Sequence, residues 1–353
     1  MSGASHENDL HRILSFLGDP ASHPGCPETV ERIETRMSWV FMTTDYVYKM
    51  KKRVVLPYLD FTTLSRRKAN CEAEVRLNRR LAPEVYLGVI TVNRDGDRLT
   101  LGGDGDPVEW LVWMHRLRRD QMLDQAIADH RASPEDLHRC ARVLADFYQR
   151  CEPVIRSPDV YMDKLHQAIG EDVRGLSTPA YELDPAAFQQ PASILMECLT
   201  DRRDWFEGRV HQGCVIEGHG DLRPEHVCLS RPPVFIDCLE FSRELRTIDI
   251  ADELGYLFLE CECLGAPEVQ WIMADEYVKY SGMPLPTGLL AFYKCRRALL
   301  RARLCLAHLD PGIPHDREEH WRRRAQDYLQ YAAYHARSVR DMAISAPSEH
   351  SQG

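Results

Sequence analysis

Up to Met114 the chain reads as strands and one helix; beyond it, helical spacing takes over, and no fold built on a single periodicity accommodates both. In the first part, "SWVFM" and "YVYKM" are aromatic and β-branched runs around the turn-like "TTD". "VYLGVITV", "RLTLG" and "VEWLVWM" continue as strands separated by "NRDGD" and "GDGDP". Between the two groups, residues 61–81 carry helical spacing. In the second part only "CVI", "VCL" and "VFIDCL" interrupt the helices. The pattern predicts an α+β chain of two lobes: residues 1–114 as a small antiparallel sheet with one key helix, and residues 115–345 as a larger helical lobe. Residues 157–191, richer in Pro, Gly and Asp, are expected to form an irregular insertion, and residues 346–353 a disordered tail.

A length of 353 residues is comfortable for two lobes, and 44% hydrophobic residues can fill their cores. The formal net charge of −10 gives no footprint for nucleic acid or an anionic membrane. No run approaches the ~18 apolar residues of a membrane span, and "MSGASHENDLHRILSFLGDP" has neither the basic start nor the apolar stretch of a signal peptide. A cytoplasmic protein is expected, one that engages neither nucleic acid nor membrane; the sequence names no protein partner. Twelve cysteines scattered from Cys26 to Cys305, with only Cys261 and Cys263 close, read as reduced and mostly buried.

The chemistry concentrates in "EGHGDLRPEHVCL" and the "VFIDCLEF" that follows. A short strand runs into a polar loop carrying Asp221, and a hairpin then returns to Asp237. Two carboxylates in a loop-rich site suit phosphoryl transfer, one taking the proton of an attacking hydroxyl and the other holding Mg²⁺ against phosphates.

"HGDL", "IDCLEF" and "TIDIADELGYL" together resemble the aminoglycoside phosphotransferase family, relatives of choline kinase, and "ETRMSWVFMTTDYVYKMKK" extends the resemblance into the first lobe. The resemblance implies a two-lobe protein-kinase-like fold and transfer of a γ-phosphate from ATP or GTP, with Mg²⁺, to a small-molecule hydroxyl. It implies Asp221 as the catalytic aspartate, His219 as a residue that shapes its loop, Asp237 as the metal-binding aspartate, and Asp249 as the brace of the catalytic loop. It departs from the family at His226, where an asparagine binds the second metal. Imidazole suits Zn²⁺ or Mn²⁺ better than Mg²⁺. Single-metal catalysis, an altered metal preference, and nucleotide binding without turnover all stay open.

A kinase also needs a strand lysine for the phosphates and a helix glutamate to hold it. Alternation places Val47, Lys49 and Lys51 on one strand face; Lys49 matches the family pattern, with Lys51 the other candidate. On the helix, Glu74 shares a side with Cys71, Leu77 and Leu81, whereas Glu72 faces solvent beside Arg76. A carboxylate aimed at the sheet needs a cation, so Glu74 is expected to meet Lys49 or its neighbour. Adenine is expected at the backbone of Met114 and His115, and a turn at Met37 and Ser38 over the phosphates. No G-x-G-x-x-G or Walker lysine motif occurs. Singly, each of these residues has an ordinary structural explanation; their order along the chain is what points to a kinase. Two other classes compete: a nucleotide-binding pseudokinase, and a metal-dependent hydrolase with His219, Asp221, His226 and Asp237 as ligands. No acidic cluster marks a pocket for a cationic acceptor; Glu260 and Glu262 are candidates for one, but are expected rather as solvated helix residues.

Overall fold

The computed structural model describes residues 2–56, 58–155, 157–309 and 313–345. The chain divides into two compact units, Met1–Gln125 with Glu225–Leu245, and Ala126–Pro224 with Arg246–Gly353. The expected tail, 346–353, lies outside the described residues.

The first unit opens with α1 (Ser2–Gly18) and continues through β1 (Glu31–Glu34), β2 (Ser38–Met42), β3 (Tyr46–Lys51) and the small pair β4 (Val55–Leu56) and β5 (Leu59–Asp60). Then come α2 (Leu64–Asn78), β6 (Tyr86–Asp95), β7 (Arg98–Leu101) and β8 (Asp106–His115). Six of the strands form an antiparallel sheet in the order β1-β2-β3-β8-β6-β7. Alternation sorts their side chains between two cores. Trp39, Phe41, Tyr48, Met50, Val92 and Leu111 pack with Ile13 and Leu17 of α1 on one face. Val112, Met114 and Tyr86 pack with Cys71 and Val75 of α2 on the other. The N-terminal helix is absent from the sequence expectation.

α2 starts where Thr63 accepts the Arg66 N–H at 3.3 Å, a side-chain N-cap. Its sheet-facing stripe is unusually polar: Arg67 pairs with Glu109 at 2.8 Å, and Glu74 is fully buried. Residues 225–245 belong to this unit, although the sequence pattern groups them with the helical lobe and ends the first lobe at Met114. The hairpin of β10 (Val227–Cys228) and β11 (Val234–Phe235) is tied to it through Leu229 N to Gln121 O at 2.8 Å, and Phe235 N to Leu81 O at 3.4 Å.

The division between the units falls within α3 (Leu123–Ala128). The second unit contains α4 (Pro134–Arg150), α5 (Pro158–Leu176), α6 (Ala186–Asp201), α7 (Arg203–His211), α8 (Ile250–Cys263), α9 (Glu268–Ser281), α10 (Thr287–Leu306) and α11 (His315–Ser345). Its only sheet among the described residues pairs β9 (Val215–Glu217) with β12 (Thr247–Asp249). The expected irregular insertion is corrected here, since α5 and α6 fill most of it. Pro158 takes the first helical turn, where its missing N–H costs nothing. Gly175 is small because a Cβ there would lie 2.3 Å from Arg303 Cδ. Only the stretch 177–185 stays irregular, with a short 3-10 turn at Pro179–Tyr181. All twelve cysteines are free thiols. Among the described residues no helix is long and apolar enough to cross a membrane.

Candidate active site

β3 and α2 carry the centre of the first unit's site. Both strand lysines lie on the α2 side of the sheet, as alternation requires, and both reach Glu74. Lys49 Nζ lies 3.0 Å from Glu74 Oε1, and Lys51 pairs with the other oxygen. Lys49 also donates to Asp237 Oδ1 at 2.6 Å, and Lys51 to Glu240 Oε1 at 2.6 Å. Two cations and three carboxylates thus form one chain, Asp237–Lys49–Glu74–Lys51–Glu240. Glu72, by contrast, is exposed, and its helical partner is Lys68 at 3.8 Å rather than Arg76.

The charges hold one another ionised. Burial on its own would depress the Lys49 ammonium, but Asp237, Glu74 and Glu240 outweigh it and hold the group well above its usual range. Lys51 is raised for the same reason, burial being overcome by Glu240 and Glu74. Burial favours the neutral form of Glu74, yet Lys49 and Lys51 hold its carboxyl below the usual value. Asp237 is likewise kept low, burial being outweighed chiefly by Lys49 and then His226.

Asp237 has a left-handed backbone, φ 60°, which a non-glycine residue adopts only where neighbours hold it. Its N–H is donated to the Tyr86 hydroxyl at 3.0 Å, and the next N–H, of Cys238, to Asn78 Oδ1 at 2.8 Å. Asn78 closes the last turn of α2 by donating to Glu74 O at 2.9 Å. Neither Tyr86 nor Asn78 figures in the sequence expectation; "RLNRRL" offers no signal that its asparagine faces inward beyond its place one turn after Glu74.

His226 is buried, and its Nε2 lies 3.7 Å from Asp237 Oδ2. Ile236 N donates to the His226 carbonyl at 2.9 Å, so the loop residue is fixed against the strand that leads to Asp237. Mg²⁺ fits this donor set through Asp237, an ionised and half-exposed carboxylate with a hard oxygen donor; the imidazole is a poor second ligand for it. Among the described residues no group of three or more His, Cys, Asp and Glu side chains is placed to hold a metal ion.

The remaining expected residues of this unit occupy less direct places. Ser38 is buried at the head of β2 opposite Lys51, and the turn before it, 35–37, is what faces outward. Met114 is the sheet partner of both Val47 and Tyr86. His115 is exposed and stacked on Tyr46 with ring centroids 5.4 Å apart, and its N–H is already committed to Val85 O at 2.9 Å.

In the second unit, β9 delivers the chain into the loop of Asp221. The carboxylate of Glu253, one turn into α8, accepts the N–H of His219 at 2.7 Å and of Gly220 at 2.8 Å. Gly218 permits this approach, for a Cβ there would lie 2.7 Å from Glu253 Oε2. His219 is buried, and its Nδ1 accepts the Asp221 N–H at 3.3 Å, a loop-shaping contact. The Asp221 carboxylate is partly exposed and takes a bond from Arg223 at 3.0 Å.

The expected brace is corrected. Asp249 does not touch this loop: it caps α8 by accepting Ala251 N at 2.7 Å, binds the buried Arg209 through both oxygens, and accepts from Tyr293 at 3.3 Å. Glu253, four residues on, takes that place; the family resemblance implied Asp249, and Glu253 did not figure in the sequence expectation. Glu260 and Glu262 are corrected as well. Glu260 is buried and holds Arg301 at 2.9 Å and the Tyr328 hydroxyl, while Glu262 pairs with Lys294 at 2.7 Å and His335 at 2.9 Å.

No protein-family model matches the chain. Uncharacterized proteins of Mycobacterium bovis and Mycobacterium tuberculosis are 30% identical to it over 300 residues, covering 83% of this chain. The match spans only 58% of the length of those relatives. Among solved structures, a choline/ethanolamine kinase family protein from Mesorhizobium loti matches with a TM-score of 0.55 at 16% identity, covering 93% of this chain and 99% of its own. Choline kinase from Cryptosporidium parvum matches with a TM-score of 0.56 at 12% identity, covering 95% and 98%. The GDP complex of an aminoglycoside 2'-phosphotransferase aligns less closely, with a TM-score of 0.48 at 17% identity over 96% and 99%. At such identities the choline kinase structures share a fold with this chain: an antiparallel sheet lobe and a helical lobe of protein-kinase type, as the sequence resemblance implied.

Proposed function

We propose that this protein, in its kinase-type fold, transfers the γ-phosphate of ATP or GTP to a hydroxyl of a small molecule. The observation that carries the reading is the charge chain around Glu74: a strand lysine that reaches both a helix glutamate and a half-exposed, ionised aspartate is what phosphoryl transfer requires. In this reading Lys49 turns from Asp237 to the phosphates while Glu74 keeps its ammonium in place. Asp237 would hold Mg²⁺, which would supply electrostatic stabilisation of the charge on the transferred group. Asp221 accepts the hydroxyl proton; Arg223 orients its carboxylate, and the amides of His219 and Gly220, fixed on Glu253, set the loop.

Nucleotide binding without turnover is the second reading, and His226 favours it by placing an imidazole where an oxygen donor serves Mg²⁺ better. The test is consumption of the γ-phosphate of ATP and of GTP across a panel of hydroxylated metabolites, run with wild type and Asp221→Ala. Transfer in the wild type that falls by ~10²-fold or more in the variant supports the reading, given the usual weight of a general base. Nucleotide binding with no transfer to any acceptor would move the assignment to the second reading.

A further inference from the structure

Lys51 is only 2% exposed, against 16% for Lys49, and it is held on two sides, by the second oxygen of Glu74 and by Glu240 Oε1 at 2.6 Å. Glu240, itself 7% exposed, stands three residues after Asp237 on the segment that follows β11. Two lysines spaced by two on one strand therefore hold two carboxylates spaced by three on one segment. Each lysine has two carboxylate partners, but Lys49 is the more exposed of the two and can turn to a ligand, whereas Lys51 is enclosed.

That difference matters when Lys49 is drawn away. Asp237 would then lose its 2.6 Å partner, while its left-handed backbone still has to be held in place. Tyr86 and Asn78 fix the amides of residues 237 and 238, but neither holds the segment beyond them. The Lys51–Glu240 pair does.

The geometry points to Lys51 and Glu240 as positioning residues: a second clamp, formed by neither the phosphate lysine nor the metal-binding aspartate, that keeps the Asp237 carboxylate placed for the metal while Lys49 engages phosphate. This inference rests on the proposed phosphotransferase reading and adds to it a role for two residues outside the reacting groups. A purely structural ion pair would change the melting temperature and nothing else, whereas a positioning pair changes the binding that depends on metal.

The experiment is calorimetric titration of ATP into the full chain with and without Mg²⁺, for wild type, Glu240→Gln, Lys51→Met and Lys51→Arg, with thermal unfolding measured on each. The expected result is about a tenfold or greater loss of Mg²⁺-dependent affinity in Glu240→Gln and Lys51→Met, as for other groups that orient a metal ligand. Binding of metal-free ATP should be unchanged, and Lys51→Arg should retain more of the metal-dependent term than Lys51→Met. If Glu240→Gln does not fold, Glu240→Asp, which keeps the charge and shortens the reach, replaces it. Wild-type Mg²⁺-ATP affinity in the variants, or equal weakening with and without metal, would overturn the positioning role. A wild type that binds no nucleotide would instead remove the phosphotransferase reading, and this role with it.

Discussion

At the scale of residues, the site is a set of charges that hold one another ionised, and this sets its pH behaviour. Glu74 and Asp237 lie below their ordinary values of 4.5 and 3.8 in the folded protein, so the unfolded chain binds protons first on acidification. Their stabilisation is complete above about pH 5 and is lost as the pH falls through the native values. Lys49 and Lys51 are raised from 10.5, so their contribution is complete below about pH 10 and is lost only above it. Urea unfolding should show a stability that this network leaves level from pH 5 to 10 and that drops in acid. Glu74→Gln should be less stable than wild type at pH 7 and lose less on going to pH 4; parallel acid profiles would contradict the assignment. The inward face of Glu74 over Glu72 was legible because periodicity decides which way a helical side chain points, and alternation put Lys49 and Lys51 on one face; only the family resemblance preferred Lys49. Glu240, Asn78 and Tyr86 were not legible, since their roles come from pairings across 151 to 189 residues of sequence that no local pattern records.

At the scale of elements, α8 divides the work between two acids that one sequence motif suggested for one. Asp249 joins α7 to α10 through Arg209 and Tyr293, and Glu253 fixes the loop of Asp221. The variants should separate accordingly. Asp249→Ala leaves Arg209 buried without its carboxylate and removes a helix cap, an expected loss of about 3–5 kcal/mol in chemical unfolding. Glu253→Gln keeps the shape but weakens two charge-assisted bonds, at about 1–3 kcal/mol, and should lower turnover more than nucleotide affinity. The reverse ranking in stability would restore Asp249 as the brace. The helices α5 and α6 show the limit of compositional reading. Pro158 and Gly175 look like breakers in the sequence, yet one sits at a helix start and the other under Arg303, and tertiary packing decides both.

For the whole molecule, the change from strand to helical spacing in the sequence recorded the fold class, and the choline kinase structures share that fold at 16% identity and below. The hairpin of residues 225–245 escaped the sequence division because its attachments, such as Leu229 to Gln121, are backbone bonds that carry no side-chain signature. What remains proposed is that the first unit binds a nucleotide through metal and lysine together and that Asp221 acts only in transfer. The most direct test is calorimetric titration of ATP, with and without Mg²⁺, into wild type, Asp237→Ala and Asp221→Ala. The account predicts Mg²⁺-dependent binding in the wild type, its loss by at least about tenfold in Asp237→Ala, and its retention in Asp221→Ala. Equal, full binding in both variants, or none in the wild type with ATP or GTP, would contradict it.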